Sequence, residues 1–312
     1  MRPGLLPIYS YALRAACRQP GRALAAWIAL LPVVQFAAQP ATAASPVVAH
    51  PSPALEEIIV TASLREQPLA AVPASITVLG QETLQSAGLQ HFGDVLGLVP
   101  NLNWSGGTSR PRFLQLRGIG ELEQYQGAPN PSVGFLIDDI DLRGVGMPAT
   151  LFDAQQVEVL RGPQGTRYGA NALAGLVKIK TRDAATTPDF HAEVTGAEND
   201  TWSAGLAGGG PIGSAGSAWR MAGQTFSSDG FQRNAYLGRD DTNGRDESTL
   251  RGKLRWELAP GWRADLAALY VDIDNGYDAF SLDNSRKTLS DQPGRDAQRT
   301  RGVSADVTGR LG

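Results

Sequence analysis

The chain of 312 residues has a single cysteine, Cys17, which excludes a disulfide framework and any thiolate zinc site. Long apolar runs are missing as well: beyond the N-terminal region no stretch reaches the roughly 18 residues of a membrane-spanning helix, which excludes a helical membrane protein. There is no cationic excess. With 28 Lys+Arg against 31 Asp+Glu the formal net charge is −3, so a nucleic-acid partner is not expected. Charged residues amount to only 19%, and the three histidines, His50, His91 and His191, are scattered along the chain, which argues against a haem pocket. Catalytic arrangements are absent too: there is no G-x-S-x-G elbow, no H-E-x-x-H and no Walker loop, so nothing supports an enzyme. Glycine is what the chain has in plenty, 36 of 312 residues, against the ~7% usual in soluble proteins. Such a composition suits strands and tight turns.

Residues 1–43 read as a secretory signal peptide. Arg2, Arg14, Arg18 and Arg22 form a basic region, Ala23 to Ala38 is apolar, and Ala41-Thr42-Ala43 is a small-x-small cleavage site. Pro32 and Gln35 interrupt the apolar stretch, which disfavours a membrane anchor. Cleavage removes Cys17 and four arginines, moving the net charge from −3 to −7. An exported, acidic, thiol-free chain fits the periplasm or outer membrane of a Gram-negative cell.

Residues 44–55 are a Pro/Ser/Ala linker without periodicity. Glu56-Glu57-Ile58-Ile59-Val60-Thr61-Ala62 follows as a short β-prone run, expected to stay out of a core and free to add to the sheet edge of another protein; an ordinary edge strand of the next domain is the alternative. Residues 66–182 form an α+β domain. Strands are expected at Ser75–Leu79, Phe113–Arg117, Val133–Ile140, Val157–Leu160 and Leu176–Thr181, with helices at Gln81–Ala87 and His91–Leu98. Two turn-rich segments, Asn101–Arg110 and Glu121–Ser132, are long enough to carry binding groups.

Residues 189–312 change to repeated strands of about ten residues. In Leu250–Ala259, Leu250, Leu254, Trp256 and Leu258 fall on one face and Arg251, Lys253, Arg255 and Glu257 on the other. A charged lumen with an apolar exterior is the pattern of a transmembrane β-strand. Strands are read near 190–198, 201–210, 218–227, 248–258, 262–273 and 302–311. After a first tight Asn199-Asp200 turn the connections alternate short and long, as periplasmic turns and extracellular loops do. Trp219, Trp256 and Trp262 all sit beside short turns, where an interfacial aromatic girdle belongs.

Ala149 to Thr181 reads ATLFDAQQVEVLRGPQGTRYGANALAGLVKIKT. It closely resembles the plug-domain signature of TonB-dependent outer-membrane receptors, with "QVEVLRGPQGTLYG" at Gln156–Gly169 and "NALGGLINI" at Asn171–Ile179; Arg167 replaces an apolar residue. Glu56–Ala62 resembles the TonB box, Phe113–Gly120 the "FRIRGIG" strand and turn, and Phe135–Leu142 the "VYVDGV" strand, where Asp139 replaces the usual glycine.

The resemblance implies a plug inside a barrel of about 22 strands, with uptake energised by TonB and its inner-membrane complex. Glu56, Glu57, Ile58, Ile59, Val60, Thr61 and Ala62 would bind TonB. Trp104, Tyr125, Gln126 and Asn130 are candidates for ligand contact, since aromatic and amide groups suit large polar chelates. Arg117, Gly118, Arg161, Gly162, Pro163 and Gly165 are expected to be structural, the glycines allowing tight turns and Arg117 and Arg161 forming ion pairs within the plug or to the barrel wall. No resident cofactor or metal is expected, iron entering only within a transported chelate. Asp138, Asp139 and Asp141 do not share a strand face, and Asp272–Asp278 is read as a solvated loop rather than a calcium site. A ferric siderophore is the expected cargo; cobalamin, haem and oligosaccharides are alternatives. The rival from another class is a structural or signalling outer-membrane module, which burial and immobility of Glu56–Ala62 would favour. The complete receptor is expected to be a monomer contacting outer-membrane lipid.

Six strands fall well short of about 22, and the chain stops within a strand pattern at Arg310-Leu311-Gly312. The expectation is therefore the N-terminal portion of a longer receptor, an α+β plug followed by an incomplete antiparallel barrel.

Overall fold

The computed structural model describes residues 58–61, 67–106, 109–123, 131–145, 150–169, 172–213 and 216–309. The chain divides into two units, 1–54 and 55–312, and the described residues all belong to the second. The signal segment, the linker, Glu56, Glu57 and Ala62, and the ligand candidates Tyr125, Gln126 and Asn130 lie outside them.

The first layer is a small α+β body. A short pairing of β1 (Ile59–Val60) with β2 (Gln67–Pro68) precedes β3 (Ser75–Gly80), α1 (Gln81–Ser86) and α2 (Phe92–Val95). Next come β4 (Leu102–Ser105), β5 (Phe113–Leu116), β6 (Val133–Ile137), β7 (Ile140–Asp141), β8 (Ala154–Arg161), α3 (Gly165–Tyr168) and β9 (Gly175–Thr181). The main sheet runs β3-β8-β9-β6-β7, with β6 and β9 parallel and its other pairs antiparallel. Its central strands β8 and β9 are covered on both faces: Val157, Val159, Val177 and Ile179 join the main core, and Leu160 and Leu176 a smaller cluster with Leu136. Helix α1 stops where Gly88 takes φ 64°, the left-handed cap that glycine adopts at least cost. Helix α2 is capped by His91, whose Nδ1 accepts from the Gly93 N–H at 3.1 Å, while Asp94 accepts from the His91 N–H at 3.0 Å.

Two expected features of this body differ. Val133–Ile140 is not one strand: Asp138 and Asp139 have φ 49° and 65° and form a two-residue hairpin loop between β6 and β7. Both central residues of such a turn need positive φ, and aspartate tolerates it better than most residues. Asn101–Arg110 is not wholly loop either, since β4 pairs with β5 and sets Trp104 opposite Leu114.

The second layer is a six-stranded antiparallel sheet, β10 (Asp189–Ala197), β11 (Thr201–Ile212), β12 (Ser217–Ser228), β14 (Arg245–Ala259), β15 (Trp262–Tyr277) and β17 (Gly294–Gly309), in that spatial order, with β10 and β17 as open edges. Two short strands in the long loops, β13 (Arg233–Asn234) and β16 (Lys287–Thr288), pair in parallel and tie those loops together. The last strands are longer than the apolar alternation foretells. β15 and β17 continue to Tyr277 and Gly294 because Asp272 pairs with Arg299 at 3.0 Å and Asp274 with Arg295 across the ladder. The expected solvated loop at 272–278 is therefore the end of a strand, and Asp278 is buried.

One face of this sheet packs on the α+β body. Leu269, Val271 and Ile273 of β15 belong to the same core as Phe92 and Phe135, whose rings meet edge to face at 5.2 Å. At Gly302 a side chain would collide with Ile140, and at Gly205 with Phe152; glycine here permits close approach of plug and wall. The opposite face exposes Trp202, Leu206, Trp219, Met221, Leu250, Trp256, Leu266, Val303 and Val307.

Candidate functional site

The residues between the two layers form a polar seam. Lys253, inward on β14, reaches Asp138 at 2.8 Å and donates to the Thr181 carbonyl at 2.9 Å. Asp138 also accepts from the Thr181 N–H and Oγ1 at 2.9 and 2.6 Å, so the hairpin turn is bound both to β9 and to the wall. Arg220 on β12 grips Asp153 through Nε and Nη2 at 2.9 and 2.6 Å, and reaches Asp189 at 2.9 Å. Arg251, wholly buried, donates to the Phe152 carbonyl. Between β4 and β5 the chain carries Ser109 and Arg110 to Asp296 on β17, in a paired contact at 2.6 and 2.9 Å from Arg110 and 2.9 Å from Ser109. The row Arg251, Lys253, Arg255 thus points at plug oxygens, as the alternation of β14 indicates.

Asp183 sits where β9 leads toward β10. Lys180, Lys253 and Arg255 stand 3.3, 3.4 and 3.9 Å from it. Burial alone would raise its carboxyl pKa, but the charges of Lys253, Lys180 and Arg255 outweigh that and hold it below the ordinary value.

Residues 58–61 dock on the opposite face of β8. Glu158, fully buried, accepts from the Thr61 N–H at 2.8 Å, from Thr61 Oγ1 at 2.7 Å and from Gln156 Nε2 at 2.5 Å. Gln156 also donates to the Ile59 carbonyl at 3.0 Å, and the Leu69 N–H to that of Ile58 at 2.8 Å. Val60 is buried while Ile58 remains 46% exposed. This corrects the expectation that the run stays clear of a core. A β-prone run of four described residues finds a partner in Gln67–Pro68, and Val60 then has apolar surface to cover. Lys178 Nζ on β9 also donates to the Thr61 carbonyl at 3.5 Å. Gln156, Glu158 and Lys178 went unassigned in the sequence because β8 and β9 read as ordinary strands; the only signal was a carboxylate and a lysine inside buried apolar runs.

Among the other expected residues, Trp104 is 46% exposed on β4. Arg117 takes φ 54° with an exposed side chain. Arg161 donates to Thr77 Oγ1 at 2.6 Å and Ser75 Oγ at 3.4 Å. Among the described residues neither arginine makes an ion pair, because hydroxyls rather than carboxylates face Arg161, and Arg117 is turned outward by its backbone. Gly118 and Gly162 have φ 79° and 109°, angles that favour glycine. Gly165 instead opens α3 with ordinary helical geometry, and Pro163 precedes that helix. Asp139 pairs with Lys178 at 2.7 Å and Asp141 with Arg143, so the aspartates around the turn hold cations of the chain. Just past the end of β15, Asp278 ties the two long loops together: it accepts from Asn234 Nδ2 at 2.8 Å, Thr242 Oγ1 at 2.8 Å and Thr288 Oγ1 at 2.7 Å.

Comparison with known proteins agrees with this arrangement. The family profile of the TonB-dependent Receptor Plug Domain matches residues 68–176. The pesticin receptor of Yersinia pestis is 30% identical over 224 residues, covering 68% of this chain and 31% of that protein. The vitamin B12 transporter BtuB of Vibrio vulnificus is 28% identical over 239 residues, covering 71% of this chain and 36% of that protein. Among solved structures, the ferric yersiniabactin uptake receptor FyuA from Yersinia pestis superposes with a TM-score of 0.66 at 26% identity, covering 78% of this chain and 39% of that one. The ferripyoverdine receptor of Pseudomonas aeruginosa shares the fold, with a TM-score of 0.61 at 21% identity, covering 80% and 34%. The chain spans about a third of the length of the curated relatives it matches.

Proposed function

From the premise that the chain belongs to the TonB-dependent outer-membrane receptors, we propose that it supplies the plug and first barrel strands of a transporter that takes up a ferric siderophore. The observation that carries this reading is the placement of the coupling segment. Thr61 is fastened to Glu158 at the middle of β8, the strand that holds together the plug's main sheet, and the same sheet is pinned to the wall through Asp138 and Lys253. Tension applied to residues 56–62 by TonB is thereby delivered to the centre of the plug. Burial of Val60 is the outcome that favours a static module, yet its segment is held by one two-residue pairing and a few hydrogen bonds, which a pull can undo.

The cargo assignment rests on the similarity to a receptor whose name specifies ferric yersiniabactin uptake. Cobalamin is the second reading, from the vitamin B12 transporters among the relatives. Uptake of labelled ferric chelates and labelled cobalamin by iron-starved cells expressing the receptor separates them. Deleting residues 56–62 should abolish uptake and leave surface binding intact; loss of binding would overturn the coupling role.

A further inference from the structure

Two residues that depart from the family signatures meet in the plug. Asp139 stands at the glycine of "VYVDGV" and Lys178 at the second asparagine of "NALGGLINI", and Lys178 Nζ lies 2.7 Å from Asp139 Oδ1. The ion pair joins β9 to the hairpin turn between β6 and β7. The same turn is fixed to the wall, since Asp138 takes Lys253 at 2.8 Å and its carbonyl accepts from Ser304 Oγ at 2.8 Å.

Lys178 has a second carboxylate within reach. It is directly opposite Glu158 in the β8–β9 ladder, and opposed side chains share a face with Cβ atoms about 4.5–5.5 Å apart, a gap that a flexible lysine stem spans. Thr61 bridges the two heads: its N–H and Oγ1 donate to Glu158 at 2.8 and 2.7 Å, and its carbonyl accepts from Lys178 Nζ at 3.5 Å. While residues 58–61 are docked, Thr61 and Gln156 supply donors to Glu158, and the Lys178 ammonium serves Asp139.

The two carboxylates differ in what they need. The Asp139 side chain is 60% exposed, so water can solvate it in place of Lys178, whereas Glu158 is fully buried. An exposed ion pair contributes little, while a buried carboxylate deprived of donors is costly unless a cation reaches it. Departure of Thr61 takes two donors from Glu158 and at the same moment clears the space between it and Lys178. The favoured pairing is then Lys178 with Glu158, and Asp139 is left to solvent. A turn whose two central residues are held at φ 49° and 65° opens more readily once one of its side-chain tethers is gone.

We propose that Lys178 is a positioning residue for uptake that works as a two-position switch: it holds the turn through Asp139 while residues 58–61 are docked and moves to Glu158 when they are withdrawn, so that withdrawal loosens the turn fixing plug to wall. The proposal rests on the coupling role given to that segment above.

The test is hydrogen exchange of residues 133–142, followed by mass spectrometry in the complete receptor purified from outer membranes, with deletion of residues 56–62 standing in for withdrawal. In wild type the deletion should speed exchange at the turn about fivefold, the order of one exposed ion pair. Lys178→Gln should exchange at the faster rate with or without the segment, and Lys178→Arg should restore the response to deletion. Glu158→Gln should stay slow after deletion, because Lys178 then has no second carboxylate to move to. Asp139→Asn, at an exposed position, should be fast in both forms without disturbing the core; exchange of residues 113–116 and heat-modifiable gel mobility verify that plug and barrel are folded. A wild-type turn indifferent to the deletion, a full response in Glu158→Gln or Asp139→Asn, or a Lys178→Arg receptor that behaves as Lys178→Gln, overturns the proposal. Ferric-chelate uptake that survives the deletion would instead overturn the coupling role, which the exchange pattern does not measure.

Discussion

Arg110 of the plug and Asp296 of the barrel wall face each other in a buried, two-point ion pair, 2.6 Å between Nη2 and Oδ1 and 2.9 Å between Nε and Oδ2. A pair of this kind adds little net stability over apolar packing, but removing one partner strands the other charge away from water. Asp296→Ala should therefore destabilise the seated plug by about 3–5 kcal/mol, whereas Arg110→Met with Asp296→Leu should recover most of the loss. Denaturant unfolding of the plug within the receptor measures both, and equal losses in the single and double variants would contradict the assignment.

The docking of Thr61 on Glu158 gives a second expectation. Glu158→Ala removes the acceptor of two hydrogen bonds from one residue, each of the charge-assisted kind worth about 1.5–3 kcal/mol. Residues 58–61 should then leave the plug more often. With Val60→Cys, buried while the segment is docked, as a reporter, thiol labelling should speed up about tenfold or more, since each ~1.4 kcal/mol is a factor of ten in population. A labelling rate indifferent to Glu158 would mean that the carboxylate does not hold the segment.

Acid should act at Asp183. Its folded pKa lies below the ordinary value of 3.8, so its contribution to stability is complete above the unfolded pKa of about 3.9 and is lost as pH falls through the lower folded value. Below about pH 4 the wild type should lose stability more steeply than Asp183→Asn, which has nothing to protonate there. Plug unfolding followed from pH 6 downward decides the matter, and parallel curves for the two proteins would refute it.

How much of this was legible in the sequence depended on the range of the interaction. Alternation in Leu250–Ala259 located the wall and named its inward cations, because a strand's facing follows from its own residues. The partners Asp138, Asp153 and Asp296 were not readable, since each lies far along the chain on another element. Phe135–Leu142 misled for a local reason: apolar residues flank two aspartates whose left-handed backbone makes the turn, and alternation alone reads through it. The ends of β15 and β17 were lost because the pattern sought was apolar, while the upper ladder is held by Asp272–Arg299 and Asp274–Arg295.

That hairpin is testable in its own right. Asp139 is at φ 65° with a carboxylate on Lys178. Asp139→Gly relieves the backbone and loses a half-exposed ion pair, two effects of opposite sign and each near 1 kcal/mol or less, so stability should change little. Asp139→Val keeps neither advantage and should cost about 1–3 kcal/mol in thermal or denaturant unfolding. If valine were as well tolerated as glycine, the left-handed turn would be wrong.

The loop tie at Asp278 should govern how the outer surface is presented. Its carboxylate takes hydrogen bonds from Asn234, Thr242 and Thr288, three residues that are themselves buried. Asp278→Ala leaves three donors without an acceptor, each costing about 1–3 kcal/mol if it stays buried. The loops have a cheaper course: part the two-residue β13–β16 pairing and let water satisfy the donors. Protease cleavage within 229–244 and 278–293 should then rise sharply while the barrel strands stay protected. Under the proposed coupling through residues 58–61 and β8, ligand affinity should fall with little change in the uptake rate at saturating ligand, because the tie joins the loops and not that segment. Asp278→Asn retains one acceptor oxygen and should lie between the two. Loops as resistant in Asp278→Ala as in wild type would show that the carboxylate is not what joins them.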